Sequence, residues 1–168
     1  TISHRLIGSL TSSGARDFIV SITKRIERRI LIKGLPGTGK STLMKALGKE
    51  AEERGFDVLY GWCGLDPQGV DLIQIPELSV CLIDATKPHV YDSEGPGDEI
   101  LDLVKMCAES EEAELKISEM SNRYAERMLD ATGYMQAFAE ANNSMKIAMV
   151  SAIHRKTFEK KSGCLLDV

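Results

Sequence analysis

The chain has 168 residues, which suits a single globular domain because that length can bury a sizeable core. Its hydrophobic share of 43% and charged share of 27% are ordinary for a folded protein and exclude a disordered or collagen-like chain. No apolar run approaches the roughly twenty residues that span a bilayer, and the first residues lack a signal-peptide core. The composition therefore predicts a cytoplasmic protein without a membrane segment.

The net charge of −4 is unevenly distributed along the chain. Residues 1–54 carry a balance of +6, residues 55–144 a balance of −13, and residues 145–168 a balance of +3. This arrangement suits a nucleotide site better than a nucleic-acid surface, so nucleic acid is not expected as a partner. The cysteines lie far apart and are expected to be reduced thiols; they are Cys63, Cys81, Cys107 and Cys164.

The predicted elements begin with a short strand over residues 5–10 and a helix that opens at residues 13–14 and continues to residue 26. A β-branched run over residues 30–32 predicts a buried strand. Helical spacing of apolar residues predicts a second helix from Lys40 to Gly55, where glycine favours termination. Its predicted buried face comprises Leu43, Met44, Leu47 and Ala51. Another strand is predicted over residues 56–60.

Residues 61–78 are rich in glycine and proline and are predicted to be mostly loop, with a short strand over residues 72–75. A nearly continuous apolar run over residues 79–84 is typical of a parallel strand that is covered on both faces. Residues 85–99 show no periodicity and hold several glycines and prolines. A loop of that length is expected to be functional.

One long helix is predicted from residue 110 to at least residue 142, with Ser110 as its N-cap. Its apolar residues recur at spacings of three and four, which is the period of a packed helix seam. The seam residues are Ile117, Met120, Tyr124, Met128, Ala131, Met135 and Phe138. The helix is expected to lie on the domain, with a projecting coiled-coil arm as the alternative. Residues 1–168 then form one domain with a helical extension over residues 109–160.

A glycine-rich motif joins the strand over residues 30–32 to the helix that begins at Lys40. Its glycines permit backbone angles that are closed to other residues and bring N–H groups close to an anion. The helix directs the positive end of its dipole at the same place. Lys40 is expected to reach the β- and γ-phosphates of a nucleoside triphosphate, Ser41 to ligate Mg²⁺, and Thr42 to bond the α-phosphate. The predicted nucleotide-binding residues are Gly34, Pro36, Gly37, Thr38, Gly39, Lys40, Ser41 and Thr42.

Asp84, at the end of the apolar run over residues 79–84, is the second predicted metal ligand. A carboxylate at the tip of a neighbouring buried strand can hold Mg²⁺ beside Ser41, usually through water. The alternative is that Asp84 only caps the turn that follows.

Together these elements resemble the P-loop NTPase superfamily over residues 30–84. More narrowly, the chain resembles one half of a family of uncharacterised bacterial P-loop ATPases built from two similar halves. The segments that carry this second resemblance are residues 34–42, 66–67, 75–78, 84–89 and 96–100. The expected fold is a three-layer α/β P-loop domain with a mostly parallel sheet and a long C-terminal helix. The expected ligands are ATP and Mg²⁺, with a protein partner or a second P-loop half contacting the long helix.

The catalytic base is not evident from the motif. Ala85 follows Asp84, so the adjacent glutamate by which many ATPases polarise water is missing. No Asn-Lys-x-Asp string is present for guanine recognition, which favours ATP over GTP. Asp66 is the first candidate for the base, acting with Lys40, although an Asp before proline also suits a turn. The alternatives for the base are His89, Asp92 and Glu94.

Three functions stay open on the sequence alone. The first is an Mg²⁺-dependent ATPase of slow or partner-stimulated turnover, because the motif and Asp84 are present without an obvious base. The second is a small-molecule or nucleotide kinase, in which Asp66 and residues 85–99 form an acceptor site and lid. The third is a nucleotide-binding interaction module with negligible turnover, supported by the seam over residues 117–138.

Overall fold

The described part of the chain forms a six-stranded sheet, a separate two-stranded hairpin and three helices. The structure is a computed structural model that describes residues 1–87, 90–106 and 111–153. In chain order the elements are β1 (Ile2–Leu6), β2 (Gly8–Thr11), β3 (Gly14–Asp17), α1 (Ile19–Thr23), β4 (Arg28–Lys33), α2 (Lys40–Glu53), β5 (Val58–Trp62), β6 (Val70–Ile75), β7 (Val80–Asp84), β8 (Asp98–Asp102) and α3 (Glu111–Ala152). Short 3₁₀ turns cover Pro76–Leu78 and Val104–Met106.

The sheet has the strand order β1-β5-β6-β7-β4-β8. β6 is antiparallel to both of its neighbours, and the other three pairings are parallel. Five strands therefore run in one direction, and their carboxyl ends share one edge of the sheet, which we call the carboxyl edge. These observations confirm an α/β fold with a mostly parallel sheet and a long C-terminal helix.

Both faces of the sheet are covered. On one face α2 packs Met44 and Ala51 against the sheet. On the other face Ile7 and Ile19 pack against Leu31 and its neighbours. The central strands are thus buried from both sides, which explains why residues 30–32 of β4 and residues 80–83 of β7 are apolar.

The prediction for the buried face of α2 is wrong at one position. Leu47 is 42% exposed, and Gly48 faces the sheet instead. A Cβ on Gly48 would lie 2.6 Å from the hydroxyl oxygen of Tyr60, so only glycine allows this close approach. The predicted end of the helix is confirmed, since Gly55 follows it with a φ of +85°.

The amino-terminal prediction is wrong in two respects. The single strand over residues 5–10 is two strands, β1 and β2, and the segment from Ser13 opens a hairpin rather than a helix. The Thr11 hydroxyl donates to the Gly14 carbonyl at 2.8 Å and accepts the N–H of Ser13, so side chain and backbone close a turn there. The helix begins only at Ile19, whose N–H donates to Asp17 at 3.0 Å.

Two strands differ from the prediction for residues 61–99. The short strand over residues 72–75 is confirmed but begins earlier, at Val70. Residues 98–99, which were predicted to be loop, belong to the edge strand β8. Arg29 of β4 donates two hydrogen bonds, of 2.7 and 2.6 Å, to the Asp98 carboxylate. This contact lowers the pKa of the Asp98 carboxyl. Such cross-strand pairs between charged side chains hold β8 at the edge of the sheet. Its sequence therefore lacks the apolar run that is typical of a buried strand.

The predicted long helix is confirmed, and α3 contains 42 residues. It contacts the domain chiefly at β2. The middle of the predicted seam is half-buried at Met128, Ala131 and Met135, whereas Phe138 is exposed. The seam is therefore only partly covered. Ser110 and the end of the predicted extension, residues 154–160, lie outside the described residues, as do Cys107 and Cys164. Among the helices that the structure describes, none is long and apolar enough to cross a membrane.

Candidate functional site

The predicted glycine-rich loop, residues 34–39, lies at the carboxyl edge between β4 and α2. Gly37 and Gly39 have φ angles of +89° and +87°, a region that disfavours other residues. A Cβ on Gly34 would lie 2.5 Å from the Thr38 hydroxyl oxygen, which itself donates to the Leu35 carbonyl at 2.8 Å. Two glycines are thus favoured by their backbone angles and the third by the close approach of Thr38, and together they shape the loop into what we call the cradle.

The first turn of α2 faces this cradle. Gly39 is the N-cap of the helix, and it has no side chain to accept the N–H groups of the first turn. These N–H groups and the positive end of the helix dipole point toward the loop, which is a suitable arrangement for binding an anion.

Lys40 lies inside the loop and is only 8% exposed. Its ammonium donates to the carbonyl oxygens of Gly34 at 2.7 Å and Leu35 at 3.1 Å. It also lies 3.7 Å from the Asp84 carboxylate. A buried cation is stable only with such partners, and they hold the ammonium within the glycine-rich loop.

Asp84 ends β7 directly beside β4, where it pairs in register with Ile32. One carboxylate oxygen accepts the N–H of Thr86 at 3.0 Å, and the other faces Lys40. Asp84 therefore caps the turn that follows it with one oxygen and faces the Lys40 ammonium with the other, and its role as a metal ligand stays a prediction.

Ser41 follows Lys40 in the first turn of α2. Its hydroxyl oxygen accepts the N–H of Val70, the first residue of β6, at 3.1 Å. Thr42, the predicted α-phosphate ligand, is exposed.

The donor set fits Mg²⁺ in one specific way. The Ser41 hydroxyl and the Asp84 carboxylate are hard oxygen ligands, which Mg²⁺ prefers. Within residues 1–87, 90–106 and 111–153, no group of three or more His, Cys, Asp or Glu side chains could hold a metal. Two protein oxygens suit a metal that keeps several waters and binds mainly through substrate phosphates.

Asp66 lies in an exposed turn between β5 and β6. Its carboxylate accepts the N–H of Gln68 at 2.9 Å, and its carbonyl accepts the N–H of Gly69 at 2.9 Å. Lys45 of α2 donates to the Gln68 carbonyl and so ties this turn to the helix that carries the loop. The contacts are those of a turn residue, and the catalytic role of Asp66 stays a prediction.

The alternative bases occupy the loop after β7. Asp92 pairs with Lys33 at 3.1 Å, and Glu94 lies 3.8 Å from Arg29. Both acids therefore face cations of β4, and neither is directed at the region of Asp84 where the nucleotide is expected. His89 lies outside the described residues.

Sequence analysis missed Asp71, a carboxylate at the start of β6 that is only 7% exposed. Burial raises the pKa of the Cys63 thiol, and interaction with Asp71 raises it further. The sequence signal that could have revealed Asp71 was a single acid inside the apolar run over residues 70–75. The prediction had assigned most of this region to loop.

One cavity lies elsewhere in the molecule. It has a volume of about 410 Å³ and is lined in part by Arg5, Val58 and Pro76, at the edge of the sheet opposite the glycine-rich loop. Its position separates it from Lys40 and Asp84.

Comparison with protein-family models, with curated proteins and with solved structures found no match for the chain. The case for its function therefore rests on the geometry described above.

Proposed function

We propose that residues 34–42 form a P-loop that binds ATP with Mg²⁺, and that the chain is an ATPase of slow or partner-stimulated turnover. The observation that carries this proposal is the position of the Lys40 ammonium, which lies within the glycine-rich loop and beside the Asp84 carboxylate. The Lys40 ammonium lies inside the glycine-rich loop, 3.7 Å from the Asp84 carboxylate, and the Ser41 hydroxyl is its neighbour in the chain. A cation, a hydroxyl and a carboxylate beside an anion-binding helix terminus suit a metal–triphosphate better than other small ligands.

Each group has a separate role in this proposal. The N–H groups of the loop and of the first turn of α2 bind the phosphates, and Lys40 turns from the loop carbonyls toward the β- and γ-oxygens. Ser41 and Asp84 would hold Mg²⁺, which would supply positive charge to neutralise the transferred phosphoryl group. This arrangement supports membership of the P-loop NTPase superfamily.

In this proposal, slow turnover follows from the residue that comes after Asp84. The next residue is Ala85, which is buried and cannot orient water. In the proposal Asp66 supplies the carboxylate, and its exposed turn would have to move toward the nucleotide. A partner that bound α3, or a second P-loop half, could favour that movement.

Calorimetry and single-turnover kinetics test the function together. We expect the wild-type chain to bind ATP more tightly with Mg²⁺ than with EDTA, and to release phosphate slowly in a single turnover. ADP production that depends on an added phosphate acceptor would instead indicate a kinase. Tight Mg²⁺-dependent binding with no single-turnover hydrolysis would indicate a binding module. Absence of ATP binding would contradict all three functions.

A substitution tests the role of Asp66. We expect Asp66→Asn to slow the chemical step at least about tenfold, because loss of a general base costs that much or more. ATP affinity should change less than about threefold, since an asparagine can still accept the N–H of Gln68. A normal single-turnover rate would remove Asp66 from the mechanism and leave it with its role in the turn.

A further inference from the structure

The antiparallel pairing of β5 with β6 contains a β-bulge close to the candidate site. Gly61 lies opposite Leu72, and Trp62 lies opposite Val70, so Asp71 is the extra residue. A bulge redirects the residues on either side of it and bends the strand that carries it. Here it falls at the carboxyl edge, where β6 begins.

The bulge presents a backbone donor to the proposed metal ligand. Val70, the residue before Asp71, donates its N–H to the Ser41 hydroxyl oxygen at 3.1 Å. A serine hydroxyl has one donor and two acceptor lone pairs. Val70 occupies one lone pair, which fixes the hydroxyl and leaves the other for a metal ion.

The side chain of Asp71 is buried, although it carries a carboxylate. The Cys63 thiol, which follows β5, interacts with this carboxylate, and the interaction adds to the larger effect of burial in raising the pKa of the thiol. A buried carboxylate is costly unless it is hydrogen-bonded, so the burial of Asp71 restricts where the bulge can lie.

We infer that Asp71 is a positioning residue that fixes the bulge, holds the Val70 N–H against Ser41, and so orients the hydroxyl that ligates Mg²⁺. This inference rests on the proposed function. It differs from a catalytic role, because Asp71 acts through Val70 and Ser41 and touches neither metal nor nucleotide. What Asp71 supplies is a hydrogen-bond acceptor, and its negative charge is not required.

The test measures binding of a non-hydrolysable ATP analogue by calorimetry, with Mg²⁺ and with EDTA. For Asp71→Ala we expect Mg²⁺-dependent affinity to fall about tenfold, the usual lower loss for a group that orients a metal ligand. Affinity in EDTA should change less than about threefold. Asp71→Asn keeps an acceptor for the Cys63 thiol and should bind like the wild type.

If Asp71→Ala does not melt cooperatively, it is not properly folded and its binding cannot be interpreted. Two further substitutions, Val70→Pro and Ser41→Ala, then test the inference. Val70→Pro removes the N–H that Ser41 accepts and should reproduce the tenfold loss with Mg²⁺. In a Ser41→Ala background, neither Val70→Pro nor Asp71→Ala should reduce Mg²⁺-dependent affinity further, because the Ser41 hydroxyl on which both act is absent. A general loss of structure would instead add to the effect of Ser41→Ala.

Three results would overturn the inference: unchanged Mg²⁺ affinity in Asp71→Ala or Val70→Pro, equal losses with Mg²⁺ and EDTA, or an Asp71→Asn variant as weak as Asp71→Ala. Failure of the wild-type chain to bind the analogue with Mg²⁺ would defeat the proposed function itself. The wild-type titration therefore separates the two failures.

Discussion

Replacing Lys40 with alanine is expected to weaken ATP binding by about 2 kcal/mol or more, roughly thirtyfold in the dissociation constant. Lys40 is the cation inside the glycine-rich loop, and its loss leaves the β- and γ-oxygens without a charged donor. Truncation to alanine leaves a space that water can enter to bond the Gly34 and Leu35 carbonyls, which the ammonium otherwise contacts. The fold should therefore survive. Calorimetric titration with ATP and Mg²⁺ measures the change.

Lys49→Ala is the matched control for Lys40→Ala. Lys49 lies on the same helix, but its side chain is 75% exposed and pairs with Glu53 on the surface. Lys49→Ala should leave ATP affinity unchanged, since an ion pair on the surface contributes little to stability. Equal affinities for the wild type and Lys40→Ala would contradict the P-loop proposal, provided that the variant melts as the wild type does.

The Asp84→Asn variant is expected to lose about a hundredfold in Mg²⁺-dependent turnover, a loss typical for removal of one electrostatic group from an active site. An asparagine oxygen can still accept the N–H of Thr86, so the turn after β7 should persist. The variant lacks the charge that faces Lys40 and would hold the metal. ATP binding in EDTA should change much less than turnover. Single-turnover rates across a Mg²⁺ titration measure the effect.

Asp102 provides a matched control for Asp84. It ends β8 on the other side of β4, and its carboxylate accepts the N–H of Val104 at 3.0 Å in the same kind of turn. Asp102→Asn should therefore leave turnover unchanged. If Asp84→Asn behaves like Asp102→Asn, then Asp84 serves only to cap its turn and the proposed metal role is wrong.

Local sequence patterns were sufficient for the elements that form the glycine-rich loop. The β-branched residues of β4 and the helical spacing of α2 predicted a strand, a turn and a helix in the right places. Glycine at positions 37 and 39 predicted the left-handed backbone that both residues adopt. These features depend on neighbours a few residues away, which is why a sequence alone can reveal them.

Elements held by distant partners were harder to predict. The hairpin of β2 and β3 was mistaken for a helix start, because Phe18, Ile19 and Ile22 continue at helical spacing while Thr11 and Gly14 close the turn before them. The first two residues of β8 were mistaken for loop, since this strand depends on Arg28 and Arg29, about seventy residues earlier in the chain. Such pairings leave no periodic signal in the strand itself.

The sequence by itself determined the loop, its lysine and serine, and an aspartate at the tip of a buried strand. Only the tertiary structure brought Asp84 within 3.7 Å of Lys40, because β7 and β4 are separated in the chain and become neighbours through sheet pairing. The bulge at Asp71 was likewise decided by pairing, since an extra residue exists only relative to a partner strand. Chain order specifies which groups are available, and the register between strands specifies which of them meet.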